Sequence, residues 1–284
     1  RRVAVGRVIG PPAVKLSFGN IGAGHVDPAP GVLRLGQELL VRCGLLEFGP
    51  EHEPDFAAAR QALVDNDIAE LDLETFKGLC TFMATVRRRV GRWLSDESFS
   101  EMRDAVIELF DDNASVDERL ARFCARFPGD KKHRWVRDLA AELLHNADPE
   151  RIPLMNRWVW DARANTGVLR EIWHGEDVDN LTIQVADGYG TYVMLREELS
   201  QFLSDNGVFK DVLFYVDVLC AQIYAQYICE QGGSYLRADF TAPEDPMQHT
   251  RRLLGLDGVQ PGNGRTRLKS IDGEAFVIDD SKLN

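Results

Sequence analysis

The side chains with the most chemistry to offer in this chain are cations and indoles. The run Arg87-Arg88-Arg89-Val90-Gly91-Arg92 sets four guanidinium groups within six residues. A second run, Lys131-Lys132-His133-Arg134-Trp135, sets three cations beside an imidazole and an indole. Such groups pair with phosphate or carboxylate oxygens, the guanidinium through two parallel hydrogen bonds. On a helix, Arg88 and Arg92 share a face, and arginines near a helix C-terminus also offset the helix dipole. Both readings stand at this level: a phosphate or acidic-partner site, and a solvated dipole-neutralising cluster.

The second run lies in a basic island. Residues 118–171 hold 11 Lys/Arg and 8 Asp/Glu, a local net of +3 in a chain whose net charge is -12. Arginines alternate there with tryptophans, as in Arg134-Trp135 and Arg157-Trp158. That pattern suits stacking on nucleobases, hot spots of a protein interface, and cation–π packing at the rim of a core. Further along, a helix expected over 207–230 brings Asp217, Cys220 and Tyr224 to nearly one face. Asp217 is expected to pair with an arginine of the island. That pair is either structural or, with Tyr224 and Arg157, part of a pocket between helices.

One stretch has a familial look. Phe127-Pro128-Gly129-Asp130-Lys131-Lys132, a helix, and then Pro149-Glu150-Arg151-Ile152-Pro153-Leu154-Met155-Asn156-Arg157-Trp158-Val159 resembles the helix–hairpin–helix DNA glycosylases over about 33 of 284 residues. The resemblance implies a Pro-Gly turn entering a helix, followed by a segment that delivers a carboxylate. This chain departs from the pattern twice. Lys131 and Lys132 stand where the second hairpin glycine belongs, and Asn156 occupies the place of the catalytic aspartate. An amide cannot serve as a general base.

Other chemistries find little support. The six histidines form neither HxxxH nor HxxE pairs, so no metal site is expected, and no cofactor is implied. There is no GxSxG elbow, Walker loop or dinucleotide fingerprint. The five cysteines, Cys43, Cys80, Cys124, Cys220 and Cys229, are widely spaced in apolar, helix-like contexts. They read as small buried hydrophobes in a reducing, cytoplasmic compartment. A pI near 5.0 argues against non-specific binding of polyanions or membranes by the surface as a whole. The apolar run Val212–Cys229 is interrupted by Asp217, Gln222 and Gln226, and reads as a core helix rather than a membrane span.

The elements that must position these groups are mostly helical. With 44% hydrophobic and 27% charged residues, the composition is that of a globular chain. Residues 1–31, rich in Gly and Pro, read as an extended arm. Residues 32–254 read as one large helical domain, with a subdivision at 111–115 as the best internal boundary. Expected helices include one running from Asp72 or Glu74 to Leu94 and one opening at Ser98 with a capping-box pattern. Another opens at Ser115 with the same pattern, and a fourth follows the Pro128-Gly129-Asp130 turn. Residues 180–187 alternate like a short strand, and 266–278 read as a β-hairpin in a C-terminal arm, 255–284. The fold class expected is mainly α.

Three functions follow as expectations. The first is a non-catalytic helical protein that binds a protein partner or assembles with itself through its arms and its Arg/Trp-rich surfaces. The second is a nucleic-acid-binding or nucleobase-processing protein using the Arg/Trp-rich 118–171 region, with Lys131, Lys132, Arg134, Trp135, Arg157 and Trp158; Arg88 and Arg92 remain separate candidates for a phosphate or an acidic partner. The third is an enzyme built on the pocket around Asp217, Tyr224 and Arg157.

Overall fold

The computed structural model describes residues 71–173, 182–235 and 246–255, together with the backbone of three short strands, 259–260, 267–271 and 274–277. The expected N-terminal arm and the helices expected before residue 71 lie outside the described residues. The described chain is mainly α-helical. It divides into two compact units, one holding Arg157–Thr250 and the other Pro50–Asn156 with the chain from Arg251 onward. Residues 111–115 lie inside the second unit.

The second unit is built from α1 (Leu73–Phe82), α2 (Asp96–Leu109), α3 (Val116–Ala125) and α4 (Trp135–Ala147). Its core is Phe76, Leu79, Met83, Val86, Met102, Val106, Phe123, Leu139 and Leu143, all but removed from solvent. The helix starts follow side-chain chemistry. The Asp72 carboxylate accepts from Thr75 N at 2.7 Å. Ser115 Oγ accepts from Glu118 N, while Glu118 Oε2 accepts from Ser115 N at 2.9 Å, a closed capping box as the sequence pattern implied. At α2 the cap is Ser95, which accepts from Ser98 N, rather than the box expected at Ser98.

One expected helix is wrong in a way that matters. The periodic run from residue 72 to Leu94 does not form one helix: α1 ends at Phe82, residues 84–89 are turns, and Gly91–Trp93 is a short 3-10 helix. The apolar spacing survives because Val86 and Val90 are still fully buried, inside tight turns closed by Arg87 N→Met83 O and Val90 N→Val86 O. The Arg87 guanidinium, only 2% exposed, donates to Thr81 O and so binds an otherwise unpaired carbonyl at the end of α1.

The first unit contains α5 (Val168–Ile172), α6 (Tyr189–Asp205) and α7 (Val212–Tyr235), with α6 and α5 packed on α7. Trp160 is its fully buried anchor. It donates Nε1–H to Val185 O, and its carbonyl accepts from the Tyr192 hydroxyl at 2.7 Å. Those bonds explain why the strand expected at 180–187 is absent over 182–187: Ile183 N donates to Asn165 Oδ1, so the backbone pairs with side chains instead of a ladder. Helix α7 starts at Val212, later than expected, after a turn at Gly207 and Asp211 with positive φ. By length and composition Val212–Cys229 is apolar enough to cross a membrane, and 33% of that window is buried. Helix α8 (Pro246–Leu253) buries His249 and Thr250. Of the C-terminal hairpin expected over 266–278, the turn and flanks lie outside the described residues. The backbone of β1 (Val259–Gln260), β2 (Arg267–Ile271) and β3 (Glu274–Val277) pairs antiparallel in that order.

Replacing Ser115 with alanine is expected to lower stability by about 1 kcal/mol, because Glu118 N at the start of α3 loses its acceptor. Urea denaturation of the variant checks this, and an unchanged midpoint would show that the box contributes nothing.

Candidate functional site

Two turns of the second unit meet at one cleft. The first, residues 83–94, alternates inward anchors with outward cations. Val86, Arg87 and Val90 point into the core, and Arg88, Arg89 and Arg92 are exposed. The expected helical face shared by Arg88 and Arg92 is therefore replaced by a turn and a 3-10 segment that still present both.

The second turn runs from Phe127 to Arg134. Asp130 organises it: one carboxylate oxygen accepts from Lys132 N at 2.7 Å, His133 N at 3.1 Å and His133 Nδ1 at 2.8 Å. The result is the 3-10 helix Lys131–His133, with both lysine side chains exposed. The hydrogen bond from His133, then those from the backbone, hold the Asp130 carboxyl below the usual aspartate range. Trp93 connects the turns. Its ring sits edge-on to Phe127 at 5.1 Å and to His133 at 6.3 Å.

Between the turns lies a cleft of about 630 Å³. Arg88, Arg89 and Arg92 line one side, Lys131, Lys132 and His133 the other, and Trp135 lies beneath. None of the five cationic side chains forms an ion pair or hydrogen bond among the described residues. Most other arginines of the basic island are different. Arg119 binds Asp112 at 2.9 Å and Leu109 O, Arg126 binds Glu108 at 2.7 Å, and Arg151 binds Asp112 and Asp148 at 3.2 and 3.0 Å. Arg122 lies 3.8 Å from Asp111. Five cations without partners thus converge at the cleft, whereas Arg103 and Arg163, which also lack an ion pair among the described residues, lie outside it.

The sequence-predicted residues separate into two groups. Arg88, Arg92, Lys131, Lys132 and Trp135 line the cleft together. Arg134 is half-buried at the entry to α4 and does not line it. Trp135 is 1% exposed, so the expected Arg–Trp stacking surface for nucleobases does not exist there; the indole is core. Arg89 and His133 complete the walls. On a continuous helix Arg89 would lie nearer Val86 and Trp93; the turn brings it out.

Arg157, Trp158, Asp217 and Tyr224 belong to the other unit. Trp158 is 4% exposed and packs on Tyr224 at 5.9 Å, which in turn packs on Tyr227 at 5.7 Å. Arg157 is half-buried. Asp217 lies near Cys220, whose thiol is pushed far up first by burial and then by that carboxylate. Asn156, which the glycosylase-like pattern places at a catalytic position, is fully buried and donates Nδ2–H to Glu142 Oε1 at 2.6 Å. It is a structural amide with no access to a substrate. Among the described residues no group of three His, Cys, Asp or Glu side chains is placed to hold a metal ion.

No protein-family model, curated protein or solved structure matches this chain.

The depressed Asp130 carboxyl carries a sign. Its stabilising contribution is complete above the ordinary value of 3.8 and is lost as pH falls through the lower folded value. Asp130→Asn should therefore be less stable than the parent at neutral pH. The gap should close in acid below 3.8. Denaturant midpoints of both proteins across that range measure it, and a gap that persists in acid would show that Asp130 acts other than through its charge.

Proposed function

We propose that this protein binds phosphate-bearing polyanions through the cleft between the 83–94 and 127–134 turns. The observation that carries the reading is the convergence of five cations with no partner of their own, in a chain whose other described arginines of 118–151 are largely matched by acids or carbonyls. Holding like charges together costs free energy that an anion recovers, and an acidic protein elsewhere steers such a ligand to this one place. Arginine and lysine on exposed stems give electrostatic attraction without a buried reactive group, so the cleft supports binding rather than catalysis.

Replacing Arg88, Arg92, Lys131 and Lys132 together by glutamine should abolish retention on a phosphate-bearing matrix such as phosphocellulose at low salt. The fold, read by circular dichroism, should not change, because all four side chains are exposed. Equal retention of the variant would refute the reading.

A second reading, association with a protein partner or a second copy, draws on the other unit. Phe209 is 78% exposed, and Met194 and Phe214 are also exposed there. Large apolar side chains left in water mark an interaction surface when they cluster. Phe209→Ser should then reduce self-association or partner capture in sedimentation velocity with no loss of stability. A parent that is wholly monomeric and captures nothing would refute it.

A further inference from the structure

We infer that the anion this cleft takes is the phosphate backbone of a nucleic-acid duplex, bound without contact to its bases; the inference rests on the polyanion-binding reading above. Three observations narrow the ligand. First, the cleft offers charge and no apolar anchor. Its one large apolar lining residue, Trp135, is 1% exposed, and Val86 and Val90 face inward. A peptide interface needs a desolvated apolar or aromatic centre, and a single strand gains its affinity from bases stacked on exposed rings. Neither feature is present. A duplex shelters its bases and turns its phosphates outward, which is what a wall of cations can use.

Second, the cations are exposed and unpinned. Small phosphorylated molecules are gripped by a few fixed donors in a closed pocket, whereas Arg88, Arg89, Arg92, Lys131 and Lys132 are all on the surface of two turns. Flexible stems of this kind follow a backbone whose phosphates repeat. Third, among the described residues on the α3 side the positive charge is matched, because Asp111, Asp112 and Glu108 are already engaged with Arg119, Arg122 and Arg126. The footprint is therefore short, and the number of phosphates met is at most the number of cations.

The test uses the full chain and fluorescence anisotropy with four probes: two short DNA duplexes of unrelated sequence, the single strand of one of them, and inorganic polyphosphate. The two duplexes should bind with the same affinity. The logarithm of affinity should fall with the logarithm of salt with a slope of about −4.5, as expected when five cations meet phosphates at roughly 0.9 counterions each. The single strand and polyphosphate should bind roughly tenfold more weakly, since neither presents a fixed backbone groove edge. Arg88→Lys with Arg92→Lys should keep the slope. Arg88→Gln with Arg92→Gln should lower it by about two. A single strand or polyphosphate that binds as tightly as the duplex overturns the duplex inference and leaves the polyanion reading standing. Strong preference for one duplex sequence overturns the claim that bases are not read. No binding of any probe at low salt overturns both.

Discussion

The cleft depends on one aromatic contact more than on any charge. Trp93 ends the first turn and sets its ring edge-on to Phe127 and near His133, at the two ends of the second turn. Phe127 is itself seated on Phe123 of α3 at 5.2 Å. Edge-to-face packing of this kind is directional as well as apolar, so it fixes orientation along with distance. It ties the two walls to each other directly and, with the buried Val86 and Val90 of the first turn, holds Arg88, Arg89 and Arg92 against the repulsion of Lys131 and Lys132. The charge gathered on the two walls is also what tends to open the cleft.

Each wall is then held from inside its own turn. Arg87 spends its guanidinium on Thr81 O in the core, while the two residues that follow it, Arg88 and Arg89, face outward. Asp130 spends one oxygen on three N–H groups and shapes the 3-10 helix that displays Lys131 and Lys132. The basic run thus divides into core and surface members by burial alone. Arg87 is a core residue and Arg88 is a surface residue although they are adjacent.

Much of the helical architecture was legible in the sequence, because caps and apolar spacing act locally. The Ser115–Glu118 box and the helix after Pro128-Gly129-Asp130 are of this kind. The cleft was legible only in parts. Its two basic runs stand out in composition, but their convergence depends on α1 ending at Phe82, and the apolar spacing from Phe76 to Trp93 gives no sign of that stop. Turns closed by three- and four-residue hydrogen bonds bury Val86 and Val90 just as a continued helix would. The Arg–Trp alternation misled for a related reason. Adjacent residues at a helix start can face opposite ways, and Trp135 went to the core while the preceding cations stayed outside. Over 182–187 the alternation is real in the sequence, but Asn165 and Trp160 pair with Ile183 N and Val185 O, as a strand partner would have done.

The most direct measurement is a tungstate soak of crystals of this protein, read by anomalous scattering. The account predicts a tungstate ion between the Arg88–Arg92 turn and the Lys131–Lys132 turn, with guanidinium and ammonium groups of both walls on its oxygens. Tungstate bound only at other arginines, with the two turns apart and Trp93 away from Phe127, would contradict it.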